Sequence, residues 1–133
     1  MQLHPISDAE CLELLAEHTF GRIAIVLPDG PTIIPVNYAF IAPSIVIRTA
    51  PGSKLANAPL TMVAFEIDEV SPDHTSGWSV VARGHAFDIT NAIDEYSENL
   101  RALPFHPWLA GEKAHVLKIN VHVLSGRRFG PAQ

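Results

Sequence analysis

The chain has 133 residues, a formal net charge of −5, a single cysteine, 47% hydrophobic residues and 17% charged ones. That length suits one domain with one core over residues 1–133, and the apolar share is that of a folded protein. The acidic balance without a basic stripe argues against nucleic acid as a partner. Cys11 alone excludes an intrachain disulfide and a cysteine-based metal cage, and no apolar run reaches the roughly 18 residues of a membrane span.

The opening Met1-Gln2-Leu3-His4-Pro5 has no basic stretch leading into an apolar run, so no signal peptide is expected and the cytoplasm is the expected location. Ser7-Asp8-Ala9-Glu10 is a capping box, and Cys11, Leu14, Leu15 and His18 follow at helical spacing, predicting a helix over about 8–18. Strands are then predicted over 20–27, 32–40 and 44–50, with Pro28-Asp29-Gly30-Pro31 as the first turn. Pro35 inside the second of these strands predicts an edge position or a bulge. That strand is apolar on both faces and needs two partners, one of them another subunit.

A short helix over 53–58 leads to a strand at 60–68. A polar loop follows, then a long strand at 77–90 bent near Gly84. Residues 91–103 read as a helix capped by Asn91, with Ala92, Ile93, Tyr96 and Leu100 on one face. Residues 104–113 read as loop, residues 114–125 as the last strand, and Gly126-Arg127-Arg128-Phe129-Gly130 as a basic tail. Six strands, few helices and no βαβ rhythm predict a mainly β protein, a small six-stranded antiparallel barrel.

The segment Ile45–Leu55 concentrates the chemistry. A strand ends in Arg48 and Thr49, turns at Pro51-Gly52, and opens a short helix with Ser53 and Lys54. Two cations, two hydroxyls and free N–H groups at a helix start are a way to hold a phosphate. Lys54 is the sharper signal, because a cation in a first helical turn opposes the helix dipole unless an anion sits there.

Glu66 and Asp68, two apart, share one face of their strand; a solvated face with an ion pair to Arg22 is the plainer role, acid–base work the bolder one. The seven histidines, His4, His18, His74, His85, His106, His115 and His122, show no ligand spacing, so no metal site is expected, although His85 and His115 are placed to meet across strands. Cys11 reads as a small buried thiol.

Taken in order, Pro35-Val36-Asn37-Tyr38, Arg48-Thr49 with Gly52-Ser53-Lys54, Val63 to Asp68, and Gly77-Trp78-Ser79-Val80 with Gly84 resemble the pyridoxamine 5′-phosphate oxidase-like family of FMN-binding split barrels. The resemblance implies a six-stranded split β-barrel forming a homodimer, with FMN in the clefts between subunits. It implies phosphate contacts from Arg48, Thr49, Ser53 and Lys54, ring contacts from the strand at Pro35, Val36 and Asn37, and a contribution from Trp78 and Ser79 of the other subunit. His106-Pro107-Trp108 would lie in a loop over the exposed ring face.

The pyridoxal phosphate-forming enzymes carry an additional strand arginine about where Pro35 stands, and a longer arginine-rich C-terminal segment than Arg127-Arg128. The implied activity is therefore that of the shorter actinobacterial-type and nitroimidazole-reductase-like members. It is an FMN-dependent oxidoreductase passing hydride or electrons to a small molecule, with no protein residue assigned as catalytic. The alternatives are a flavin-binding protein without turnover, or the same fold holding F420 or haem, for which His85, His106 or His122 would supply an axial ligand.

Overall fold

The computed structural model describes residues 2–50, 54–103 and 115–131. In chain order the elements are β1 (Gln2–Ile6), α1 (Asp8–Glu17), β2 (Phe20–Leu27), β3 (Gly30–Asn37), β4 (Ala39–Ile41) and β5 (Ser44–Thr49). A short 3₁₀ helix, Lys54–Asn57, leads to β6 (Met62–Val70), β7 (Gly77–Asp88), α2 (Glu95–Arg101) and β8 (His115–Gly130). No helix among the described residues is long and apolar enough to cross a membrane.

The serine half of the capping box forms, while the Glu10 carboxylate pairs with Arg128. Ser7 Oγ accepts from the Glu10 N–H at 3.2 Å, and Asp8 and Glu10 put negative charge in the first turn, where the dipole favours it. The helix buries Cys11 and Leu15 and ends at His18. The β2–β3 hairpin closes at Leu27↔Gly30, where φ is +127° at Gly30, a conformation that suits glycine.

All strand pairs are antiparallel, and the sheet runs β3-β2-β6-β7-β8-β5-β4, with β1 added along β8. The two ends of that path, β3 and β4, are neighbours in sequence, joined by Tyr38 alone. A sheet whose first and last strands share one linking residue must curl back on itself, and this one closes into a split barrel. Tyr38 is fully buried at the seam. Its hydroxyl donates to the Leu15 carbonyl at 2.7 Å, and its ring stands edge-on to Phe65 with centroids 4.8 Å apart. Inside lie Ile23, Ile25, Ile45, Ile47, Phe65, Ile67, Val80 and Ile119, the inward half of each strand's alternation.

Three expectations are corrected. Among the described residues the barrel sheet has eight strands and not six, because the apolar run over 32–40 breaks at Tyr38 and because Gln2–Ile6 pairs with the supposed tail, Gly126–Gly130. Arg127 and Arg128 therefore belong to a strand, and Arg128 pairs with Glu10 of α1. The second helix is shorter than 91–103. Asp94, not Asn91, caps it by accepting from the Ser97 N–H at 2.9 Å, and Ile93 remains outside with 92% exposure. The predicted bend at Gly84 is present as a register shift between Arg83 and Gly84. Glycine is required there: a Cβ would sit 1.7 Å from the Asn120 carbonyl oxygen.

Candidate functional site

Arg48 leaves β5 beside Val116 and turns toward α2, where one guanidinium nitrogen donates to the Arg101 carbonyl at 2.7 Å and the Leu103 carbonyl at 3.0 Å. These are carbonyls at a helix C-terminus, where a cation is favoured. Arg101 in turn donates to Ile89 and Ala92 at 2.6 and 2.8 Å. The two arginines clamp the α2 segment onto the sheet, a task for Arg48 that spacing alone does not reveal. Thr49 is buried at the strand end, and its hydroxyl donates to the Ala50 carbonyl at 3.5 Å. Lys54, at the start of the 3₁₀ helix, is exposed. Ser53 lies outside the described residues.

Pro35, Val36 and Asn37 end β3, which pairs with β2 on one side and has no strand on the other among the described residues. The predicted edge position for Pro35 is what the fold provides, and it harmlessly accommodates the missing N–H. Val36 points inward and is buried, and Pro35 points out. β3 also touches β5 across the seam.

Trp78 and Ser79 point to opposite faces of β7. Trp78 is nearly buried and stands edge-on to His18 with centroids 5.0 Å apart, so it packs the end of α1. Ser79 lies opposite Asp68 on the outer face, half-buried.

The outer face of β3, β2 and β6 carries an open groove of about 360 Å³ lined by Arg22, Ala24, Ile33, Ala64, Glu66 and Asp68. Its origin is register. Ile33, Ala24 and Ala64 form one cross-strand row, and the two alanines leave a hollow that larger side chains would fill. The next row is Pro35, Arg22 and Glu66. Arg22 reaches Glu66 at 3.6 Å and Asp68 at 3.5 Å, the ion pair expected from sequence. Burial raises the Glu66 carboxyl to about 7. A hydrogen bond with Asp68 and the nearby Asp68 charge add to the rise, and Arg22 opposes it. The groove thus joins an apolar floor to a wall that holds a proton near neutrality.

His115 pairs with Asp88 at 3.3 Å and does not meet His85. His85 instead meets His122, with ring centroids 5.9 Å apart. His106 and Trp108 lie outside the described residues. Cys11 is fully buried, and burial raises its thiol pKa, as do the charges of Asp8 and Glu10, which fits an inert packing role.

With this geometry in view, comparison with known proteins gives a consistent answer. The family model described as pyridoxamine 5′-phosphate oxidase matches residues 7–128. An uncharacterized Mycobacterium tuberculosis protein, Rv0080, is 29% identical over 126 residues, which span 90% of this chain and 81% of that protein. The structure of an FAD-binding protein from Mycobacterium smegmatis superposes with a TM-score of 0.77 at 28% identity, covering 95% of this chain and 99% of the other. An FAD-binding protein from Mesorhizobium loti, at 20% identity and a TM-score of 0.75 over 98% and 99% of the two chains, shares the fold. An eight-stranded split barrel, closed at Tyr38 and matched by the family model from α1 to Arg128, belongs to the pyridoxamine 5′-phosphate oxidase family.

Proposed function

We propose that the chain binds a flavin at the seam where β3 and β5 approach, and acts as an FMN-dependent oxidoreductase in a cytoplasmic homodimer. The observation that carries this reading is the position of β3: it is the strand that the family resemblance assigns to the flavin ring, and it ends the sheet with one edge lacking a strand partner among the described residues. Such an edge presents peptide groups to a planar heterocycle. The FAD-binding Mycobacterium smegmatis relative supports a flavin, and FAD contains the whole of FMN. One turn with Lys54 as its exposed cation suits one phosphate, which favours FMN over a dinucleotide.

A bound flavin supplies two-electron redox chemistry, and the protein's share is binding, orientation and tuning. Lys54 would meet the phosphate, with Ser53 and Thr49 as neighbouring hydroxyls. Arg48 would act on that turn mainly by holding α2 in place. Pro35, Val36 and Asn37 would fix the ring edge, with Ser79 and Trp78 of a second copy completing the cleft. The apolar floor of Ile33, Ala24 and Ala64 would keep water away.

The homodimer rests on the same outer face, where Val26 and Ile33 are 76% and 68% exposed on adjacent strands. A second copy would cover them. The first test is the visible absorption spectrum of freshly purified protein, with the released chromophore identified by mass. A flavin spectrum and FMN released are expected. A colourless protein that takes up no added FMN would sink the reading. Turnover of a nicotinamide donor separates an oxidoreductase from a passive flavin carrier, and sedimentation at micromolar concentration tests the dimer.

A further inference from the structure

We propose that His85 and His122 form a two-imidazole site for a first-row divalent transition-metal ion on the outer face of the β7–β8 ribbon. The pair is separate from every residue assigned above to the flavin. It is built by one irregularity. Arg83 lies opposite Val123 and Gly84 opposite Val121, so His122 is the extra residue of a bulge in β8. The bulge breaks the inward–outward alternation of β8 and leaves His122 on the exposed side, beside His85. Gly84 permits it, because a Cβ there would collide with the Asn120 carbonyl and hold the strands apart.

The spacing is that of shared ligation. A metal about 2.0–2.1 Å from one nitrogen of each of two imidazoles holds the ring centroids roughly 5–6 Å apart. The observed separation, 5.9 Å with the planes at 79°, falls within that range. Both rings stand on one exposed face, which suits a small ion between them. Two neighbours shape the site further. Met62 is opposite His85 on β6, half exposed on the same face, so a thioether borders the imidazoles and biases the site toward softer ions. Arg83, two residues before His85 on that face, opposes any cation, an effect that exposure to water keeps small. Imidazole donors select zinc, copper or nickel over magnesium and calcium.

The test is calorimetric titration of the full chain with Zn²⁺. Binding of one ion per chain is expected, weakened at least tenfold in His85→Ala and again in His122→Ala, and unchanged in His74→Ala. Circular dichroism matching the parent shows that the variants remain folded. With Cu²⁺ as a second probe, electron paramagnetic resonance should show two coordinated nitrogens in the parent and one in each variant. Absence of Zn²⁺ binding, or binding by either variant equal to that of the parent, overturns the assignment.

Discussion

The two faces of the same strands obey different rules. On β6, Val63, Phe65 and Ile67 point inward and are at most 2% exposed, whereas Met62, Glu66 and Asp68 point outward among charge and water. The inner face is closed by Tyr38 and filled by side chains from every barrel strand. The outer face of β2, β3 and β6 leaves Val26 and Ile33 exposed, hollows at Ala24 and Ala64, and carries Arg22 between two carboxylates. The inner face reads as the determinant of the fold. The outer face has more apolar surface than a free sheet face needs and a carboxyl with an unusual proton affinity, so it is where binding is to be sought.

The contrast can be broken at either side. Phe65→Ala removes a fully buried ring from the Tyr38 contact and should cost about 3–5 kcal/mol in denaturant unfolding. A cost under about 1 kcal/mol would mean that the interior is not the fold's determinant. Next in size, Lys54→Ala should leave stability almost untouched while weakening FMN binding by about 1.5–3 kcal/mol, read by fluorescence titration. Equal affinity would remove Lys54 from the phosphate site.

A smaller effect is expected at Glu66. Its folded pKa of about 7 lies above the ordinary value of 4.5, so the native state binds the extra proton between those values. Stability from this group is therefore present below about pH 4.5 and is lost as pH rises toward and through 7. Partial exposure and screening reduce the effect to about 1 kcal/mol. Glu66→Gln should flatten that decline in thermal unfolding measured across the same range. A parallel decline in parent and variant would assign it elsewhere. Smallest for folding, Ile33→Ser should change monomer stability by no more than about 0.5 kcal/mol, yet shift sedimentation from dimer toward monomer. An unchanged dimer would move the interface off this face.

Local chemistry made much of this legible. Ser7 caps the predicted helix, Pro28 and Asp29 turn the predicted hairpin with Gly30 and Pro31 already paired in β3, and Pro35 stands at an edge. Arg22 met Glu66 and Asp68 because alternation puts such residues on one face. What failed did so where partners are distant in sequence. Gln2–Ile6 has no strand signal of its own and becomes β1 only because Gly126–Gly130 lies alongside. The hold of Arg48 on α2 is not legible in the sequence either, because the carbonyls it meets lie 53 and 55 residues away. The expected meeting of His85 and His115 is replaced by His115 with Asp88 and His85 with His122, because the β7–β8 register puts Asn120 opposite His85.

Residue pattern alone determined the strand count to within two, the two helices, the edge and the bend at Gly84, because periodicity, caps and turn residues act over a few positions; the family entered as a resemblance carried by motifs in order. Tertiary structure decided the closure at Tyr38, the groove over Ala24 and Ala64, the clamp on α2 and the meeting of His85 with His122. Each depends on register between strands far apart in the chain, and register is set by the packing of the whole barrel.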